Sequence, residues 1–209
     1  MTAATASVGF GDFNARFRVY LPQPPHWWPG ATPNAVAEQQ LSTIQPLTAG
    51  DIHAIYLHCG NGWRKIFNVY AKLIATLPSA VFNQRDPEHS WQQYRDSQLL
   101  QADSDTALCF SAPLLPAPTG CLQLIAGRTH AKHLLAQGMP ADFYWLNHEF
   151  AVDPAQQLLV TPFFDYRQLN NEKIQQTALL LALLQQRADV ATLALVLAEQ
   201  RLDAAAHRL

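Results

Sequence analysis

Four short apolar runs punctuate the chain, at 17–21 (FRVYL), 106–112 (TALCFSA), 122–126 (LQLIA) and 158–160 (LLV). Each is bounded by charged residues, glycine or proline, and their β-branched and aromatic content predicts strands. The first alternates with Arg16 and Arg18. The others are continuously apolar, as strands buried on both faces are. Helical periodicity separates them. Trp63, Ile66, Phe67, Tyr70, Leu73 or Ile74, and Leu77 recur at three- and four-residue steps, with Arg64, Lys65, Asn68 and Lys72 opposite. That spacing predicts a helix with Asn61 as N-cap and Pro78 as stop. Over 48–58 the Thr48/Asp51 opening and the shared face of Ile52, Ile55 and Tyr56 favour helix over strand. Shorter helices are expected over 34–41, 90–100 and 128–137, the last ended by Gly138. Residues 143–146 read as a further core strand. Residues 150–152, the Asp153-Pro154 turn and 158–160 read as a hairpin or as two strands of the sheet.

From Asn171 onward every residue favours helix, as one rod or as two segments meeting near Arg187, with Asp189 available to cap the second. The LLLALL stretch at 179–184 is apolar all round, which implies burial on more than one side. Residues 1–15 are small, glycine-containing and aperiodic, and are expected to fray. Short apolar strands alternating with helices predict an α/β layered fold. Its short, largely parallel central sheet is flanked by helices, with a long C-terminal helical segment over 171–209.

At 209 residues the chain suits a single domain over 1–209, and a hydrophobic fraction of 49% supplies a sizeable core. Charged residues make up 14% and the net charge is −2, so the basic balance of high-affinity nucleic-acid binding is missing overall. A local basic patch is left open. The three cysteines, Cys59, Cys109 and Cys121, are far apart and not at CxxC spacing, which reads as reduced thiols in a cytoplasmic protein. The first residues lack a basic start and an apolar core, so no signal peptide is expected. No apolar run is long enough to span a bilayer, and no membrane partner is expected.

The densest polar cluster follows the last apolar strand. In LLVTPFFDYRQLNN (158–171), Asp165, Tyr166, Arg167 and Asn170 lie between a strand and a helix. Loops there often bind ligands, with Arg gripping an anion and Tyr stacking on a ring. The alternative is that Asp165 and Arg167 pair locally while Asn170 caps the helix. Asn61 and Arg64, at a helix start beside Gly60 and Gly62, offer a phosphate site or an ordinary cap, without the Gly-Lys-Ser/Thr of a P-loop. His26 and Trp27 lie in a segment, 22–33, holding five of the fourteen prolines. They form either a stacking platform or a loop pinned by buried tryptophan. His130 and His133 share a helix face and read as partly exposed histidines, since no HExxH or carboxylate completes a metal set. His148-Glu149 can move protons, but no nucleophile accompanies it.

The order of these features resembles the uracil-DNA glycosylase superfamily. RVYLPQPPHWW (18–28) sits where that family has a strand and a proline- and aromatic-bearing loop with a catalytic acid. GNGWRKIFNVYAKL (60–73) looks like its early helix. TALCFSA and LQLIAGRTHAKHL (122–134) look like its second and third strands, the third running into a glycine-and-helix turn. LLVTPFFDYRQLNN stands where its His-Pro-Ser loop belongs. The likeness is one of layout. The first loop here has no acid and the last has Pro162-Phe163-Phe164-Asp165, so no catalytic residue carries over.

The sequence therefore predicts a ligand cleft at the strand ends, with walls from 23–28, 60–64 and 163–171. The ligand would be a nucleobase, a nucleotide or a similar ring-plus-anion molecule. No metal or cofactor is expected, and no reaction is assigned. The competing expectation is a non-catalytic interaction protein that forms a homodimer or docks a partner through its C-terminal helices.

Overall fold

The apolar runs pair into one sheet because strands this short cannot satisfy their backbone groups alone. The computed structural model describes residues 7–31, 41–83 and 88–206. Within them lie strands β1 (Gly9–Gly11), β2 (Phe17–Tyr20), β3 (Ile44–Gln45), β4 (Thr106–Cys109), β5 (Leu122–Ala126), β6 (Tyr144–Trp145), β7 (Ala151–Asp153) and β8 (Leu158–Thr161). The helices are α1 (Asp51–Cys59), α2 (Asn61–Thr76), α3 (Trp91–Ser97), α4 (Arg128–Ala136), α5 (Asn171–Gln185) and α6 (Val190–Ala206).

The sheet order is β3-β1-β4-β2-β5-β8-β7-β6. The central four strands, β4-β2-β5-β8, are parallel, with Arg18 beside Ala107 and Gln123, and Ile125 beside Val160. Antiparallel β1 and β7 flank them. The mainly parallel α/β layering read from the sequence is the fold of this chain, and β7 and β8 form the hairpin.

Alternate side chains divide the sheet into two buried faces. Phe17, Val19, Leu108, Leu124 and Leu159 face a core shared with α2 and α5, where Phe67, Tyr70, Leu73 and Leu181 are sealed from solvent. Tyr20, Ile125 and Val160 face a smaller core under α4 with Ala131 and Leu134. Each fully buried Leu or Phe contributes about 2 kcal/mol of transfer free energy, so α2 is held by its packed stripe rather than by its capping. Its N-cap is Gly60 and not Asn61, which is the first helical residue and is exposed. In α3, Ser90 and Gln93 form a reciprocal capping box. The C-terminal helices are two, as one of the two expected arrangements had it. Arg187 turns left-handed at φ 61°, and the Thr192 N–H donates to the Asp189 carboxylate at 2.8 Å.

Two further expectations change. Residues 9–11 do not fray but form β1, fully buried between β3 and β4. Glycine makes this possible, because a Cβ on Gly9 would collide with the Leu108 carbonyl and lie 2.9 Å from the Cys109 Cα. Residues 143–146 are not a core strand. Only Tyr144–Trp145 pair, at the sheet edge, and Tyr144 is 60% exposed. The helix expected over 34–41 lies outside the described residues, apart from the buried Leu41. Among the described residues no helix is long and apolar enough to cross a membrane.

The chain leaving β2 passes through β3 to β4 on one side, and that leaving β5 passes through β6 and β7 to β8 on the other. The carboxyl ends of β2 and β5 therefore open apart at a topological switch point, where α/β folds hold their ligands.

Candidate functional site

A cleft of about 550 Å³ opens at that switch point. Pro22 follows β2, Gly127 to His130 follow β5, and Pro162 and Phe163 follow β8. His148, Glu149 and Gln168 close the sides.

Gly127 sets the geometry. It leaves β5 at φ 106°, a region that side chains rarely enter, while its N–H donates to Thr161 O at 2.9 Å. The turn leads from β5 into α4 and leaves the first N–H groups of the helix, from Arg128 to His130, without intrahelical acceptors. No side chain caps them. This is the positive end of a helix dipole, suited to an anion. Arg128 adds charge. Its Nη1 donates to His148 O at 3.1 Å, and its guanidinium lies 5.3 Å from the Trp145 ring centre.

His130 stands one turn into α4. Both of its ring nitrogens are buried and have no hydrogen-bond partner among the described residues. Burial, followed by the charge of His133, pulls its pKa down to about 4. At neutral pH the ring is uncharged, with one N–H donor and one acceptor. Leaving such a pair unmet destabilises a fold by about 1–3 kcal/mol per group. A base this weak takes up a proton poorly at neutral pH, so hydrogen bonding suits it better than proton abstraction.

The opposite wall is already paired. Glu149 Oε1 accepts from Lys173 Nζ at 2.6 Å, and Glu149 Oε2 lies 3.8 Å from His148 Nε2. The side-chain Oδ1 of Asn147 accepts from the N–H groups of Glu149 and Phe150 and fixes this corner. Lys173 therefore balances the carboxylate that would otherwise repel an anion. The cleft offers an apolar ring surface at Phe163, hydrogen-bonding groups at His130 and Gln168, and positive charge at the α4 start. Among the described residues no three His, Cys, Asp or Glu side chains converge as a metal set.

The residues singled out in the sequence stand mostly beside this cleft. Asp165 pairs with Lys65 of α2 at 2.7 Å and accepts the Arg167 N–H at 2.9 Å. The Lys65 hydrogen bond, then that N–H, holds its carboxyl below the usual range. Tyr166 is exposed, with Lys65 Nζ 4.8 Å from its ring centre. Asn170 accepts the Lys173 N–H at 2.9 Å as the α5 cap. Arg167, Arg64, Asn61 and His26 are exposed. Trp27 stacks on His58 at 3.9 Å, and its carbonyl accepts the Cys59 thiol. Thus 163–170 is tied to α2 and 27 to the end of α1. None of the eight lines this cleft, which takes only Phe163 and Gln168 from the stretch 163–171. The reading of His130 and His133 as partly exposed holds for His133, which is exposed, but not for the two ring nitrogens of His130. The sequence signal for the cleft was the glycine between an apolar strand and a polar helix start.

A family model matches residues 8–182, from the start of β1 into α5. The chain belongs to DUF6942, a family of unknown function. The match spans the whole sheet and every cleft-lining residue, and leaves out α6. No curated protein and no solved structure matches the chain.

Proposed function

We propose that the chain is a small-molecule-binding protein whose cleft takes a nucleobase- or nucleotide-type ligand. The observation that carries this is His130, a neutral imidazole buried with both nitrogens unmet at a topological switch point. A heterocycle edge supplies a partner for one of these two nitrogens. Phe163 offers the ring a stacking face, and the α4 start with Arg128 suits a phosphate or other anion. The chain lacks the first-loop acid and the His-Pro-Ser loop of the uracil-DNA glycosylases, so the reading is of binding without base release.

A thermal-shift panel of nucleobases, nucleosides and mononucleotides on the full chain tests it. A ligand at a hundredfold excess over Kd stabilises the native state by about 2.7 kcal/mol, and His130→Phe removes that gain. A panel that leaves the melting point unchanged sinks the proposal. Uracil-containing DNA should stay intact, and base release above background would overturn the non-catalytic part.

One observation favours a second reading, in which the C-terminal helices form a homodimer or docking face. Leu195 of α6 is 63% exposed between the buried Leu193 and Leu197. Light scattering of the full chain against a form ending at Arg187 tests it, and an equal subunit count in both contradicts it.

A further inference from the structure

Arg18 is 6% exposed in the middle of β2, on the sheet face that carries Tyr20. A guanidinium is always protonated, and buried charges are normally paired. Among the described residues no carboxylate pairs with it. Its Nε donates to Ala15 O at 3.0 Å and its Nη2 to Phe13 O at 2.7 Å. Asp105, the acid of this corner, is engaged by Arg16 through Nε at 2.6 Å and through Nη2. The neighbouring thiols supply no negative charge, because burial pushes Cys109 up to about 12 and Cys121 to about 11 against the pull of Arg18. A buried cation is thus left with neutral acceptors alone.

Arg18 is among the residues lining a pocket of about 410 Å³ at the amino ends of β2 and β5, the opposite strand ends from the switch-point cleft. Arg16 and Arg18 line it, and no acidic residue does. Ser7 Oγ, also on its wall, is buried without a hydrogen-bond partner among the described residues. Phe13 and Leu114 give the remaining wall an apolar character. Leu114 is held in place by a relay in which the Tyr20 hydroxyl donates to Gln123 and Gln123 donates to the Leu114 carbonyl at 3.0 Å.

We infer that this pocket is a second binding site, for a small monocarboxylate with an apolar body. The carboxylate would face Arg18 and take the Ser7 hydroxyl as a second donor, while the body would lie against Phe13 and Leu114. A guanidinium matches a carboxylate in two parallel hydrogen bonds. The largely apolar walls favour an organic acid over inorganic phosphate. The site is independent of the switch-point cleft and shares no lining residue with it.

The test titrates the full chain with benzoate and hexanoate, against benzyl alcohol, hexanol and inorganic phosphate, by calorimetry and thermal shift. The expected result is saturable stabilisation by the two carboxylates. The alcohols and phosphate should bind at least tenfold more weakly. Arg18→Met, which keeps the apolar stem, should lose at least tenfold in carboxylate affinity. Should that variant fail to fold, Thr119→Trp at the exposed part of the pocket wall should block the same binding. Equal binding of acids and alcohols, phosphate binding as tight as benzoate, or no saturable effect each overturns the inference. So does carboxylate binding that survives in a folded Arg18→Met, or, where that variant does not fold, in Thr119→Trp.

Discussion

Acidification should weaken this protein through His130, and the size follows from its burial. The imidazole titrates near 6.5 in an unfolded chain and is drawn down to about 4 in the folded one, by burial first and by His133 second. The folded pKa is the lower of the two. The associated stability is therefore fully present above about pH 6.5 and is lost as the pH falls toward about 4, where the unfolded chain binds a proton that the native chain refuses. Each pKa unit corresponds to about 1.4 kcal/mol, which sets an upper limit of about 3 kcal/mol for a sealed ring. The ring sits on the wall of an open cleft, so solvent screening reduces this to about 1–1.5 kcal/mol. The assay is urea unfolding at about pH 7.5 and about pH 4.5 on the natural chain and on His130→Phe, whose apolar ring does not titrate. Other titrating groups are common to both chains and cancel in the difference. The natural chain should lose about 1–1.5 kcal/mol more than the variant over that interval. Equal losses would refute the reasoning, because His130 would then be as well solvated folded as unfolded.

Gly127→Ala should lower stability by about 1–2 kcal/mol, read from the melting point, because φ 106° strains any side chain although the space beside Phe163 is adequate. Gly9→Ala should lower it by about 2–3 kcal/mol, since the new methyl meets the β4 backbone and parts β1 from it. Asn170→Ala should remove about 1 kcal/mol with the α5 cap. Asp165→Asn should remove less than about 1 kcal/mol, as partly exposed ion pairs do, and should leave ligand binding in the cleft unchanged.

The parallel core was legible because its strands, TALC, LQLI and LLV, are continuous apolar runs that only burial on both faces explains. α2 was legible because its stripe from Trp63 to Leu77 repeats at helical spacing over about four turns. β1 was hidden because its two glycines signal loop in isolation and become strand residues only where the β4 backbone crowds them. Tyr144–Trp145 misled because aromatic residues look alike at a sheet edge and in a core. The polar cluster at 165–170 drew attention by local density, yet the partner that occupies Asp165 is Lys65, a hundred residues away. His130 shows the reverse. Its neighbours in sequence mark an ordinary helix turn, and the cleft it lines is completed by Pro22, Phe163 and His148 from three other segments. A cleft assembled at a switch point is a property of strand order, which single-sequence periodicity does not carry.

The most direct measurement of the central claim follows the ring nitrogens of His130 by NMR while nucleobases and mononucleotides are titrated into the full chain. A saturable shift of the His130 resonances is expected, one that tracks the affinity measured by thermal shift and persists in Asp165→Asn. Saturable binding that leaves the His130 resonances unmoved, or no binding across the series, would contradict it.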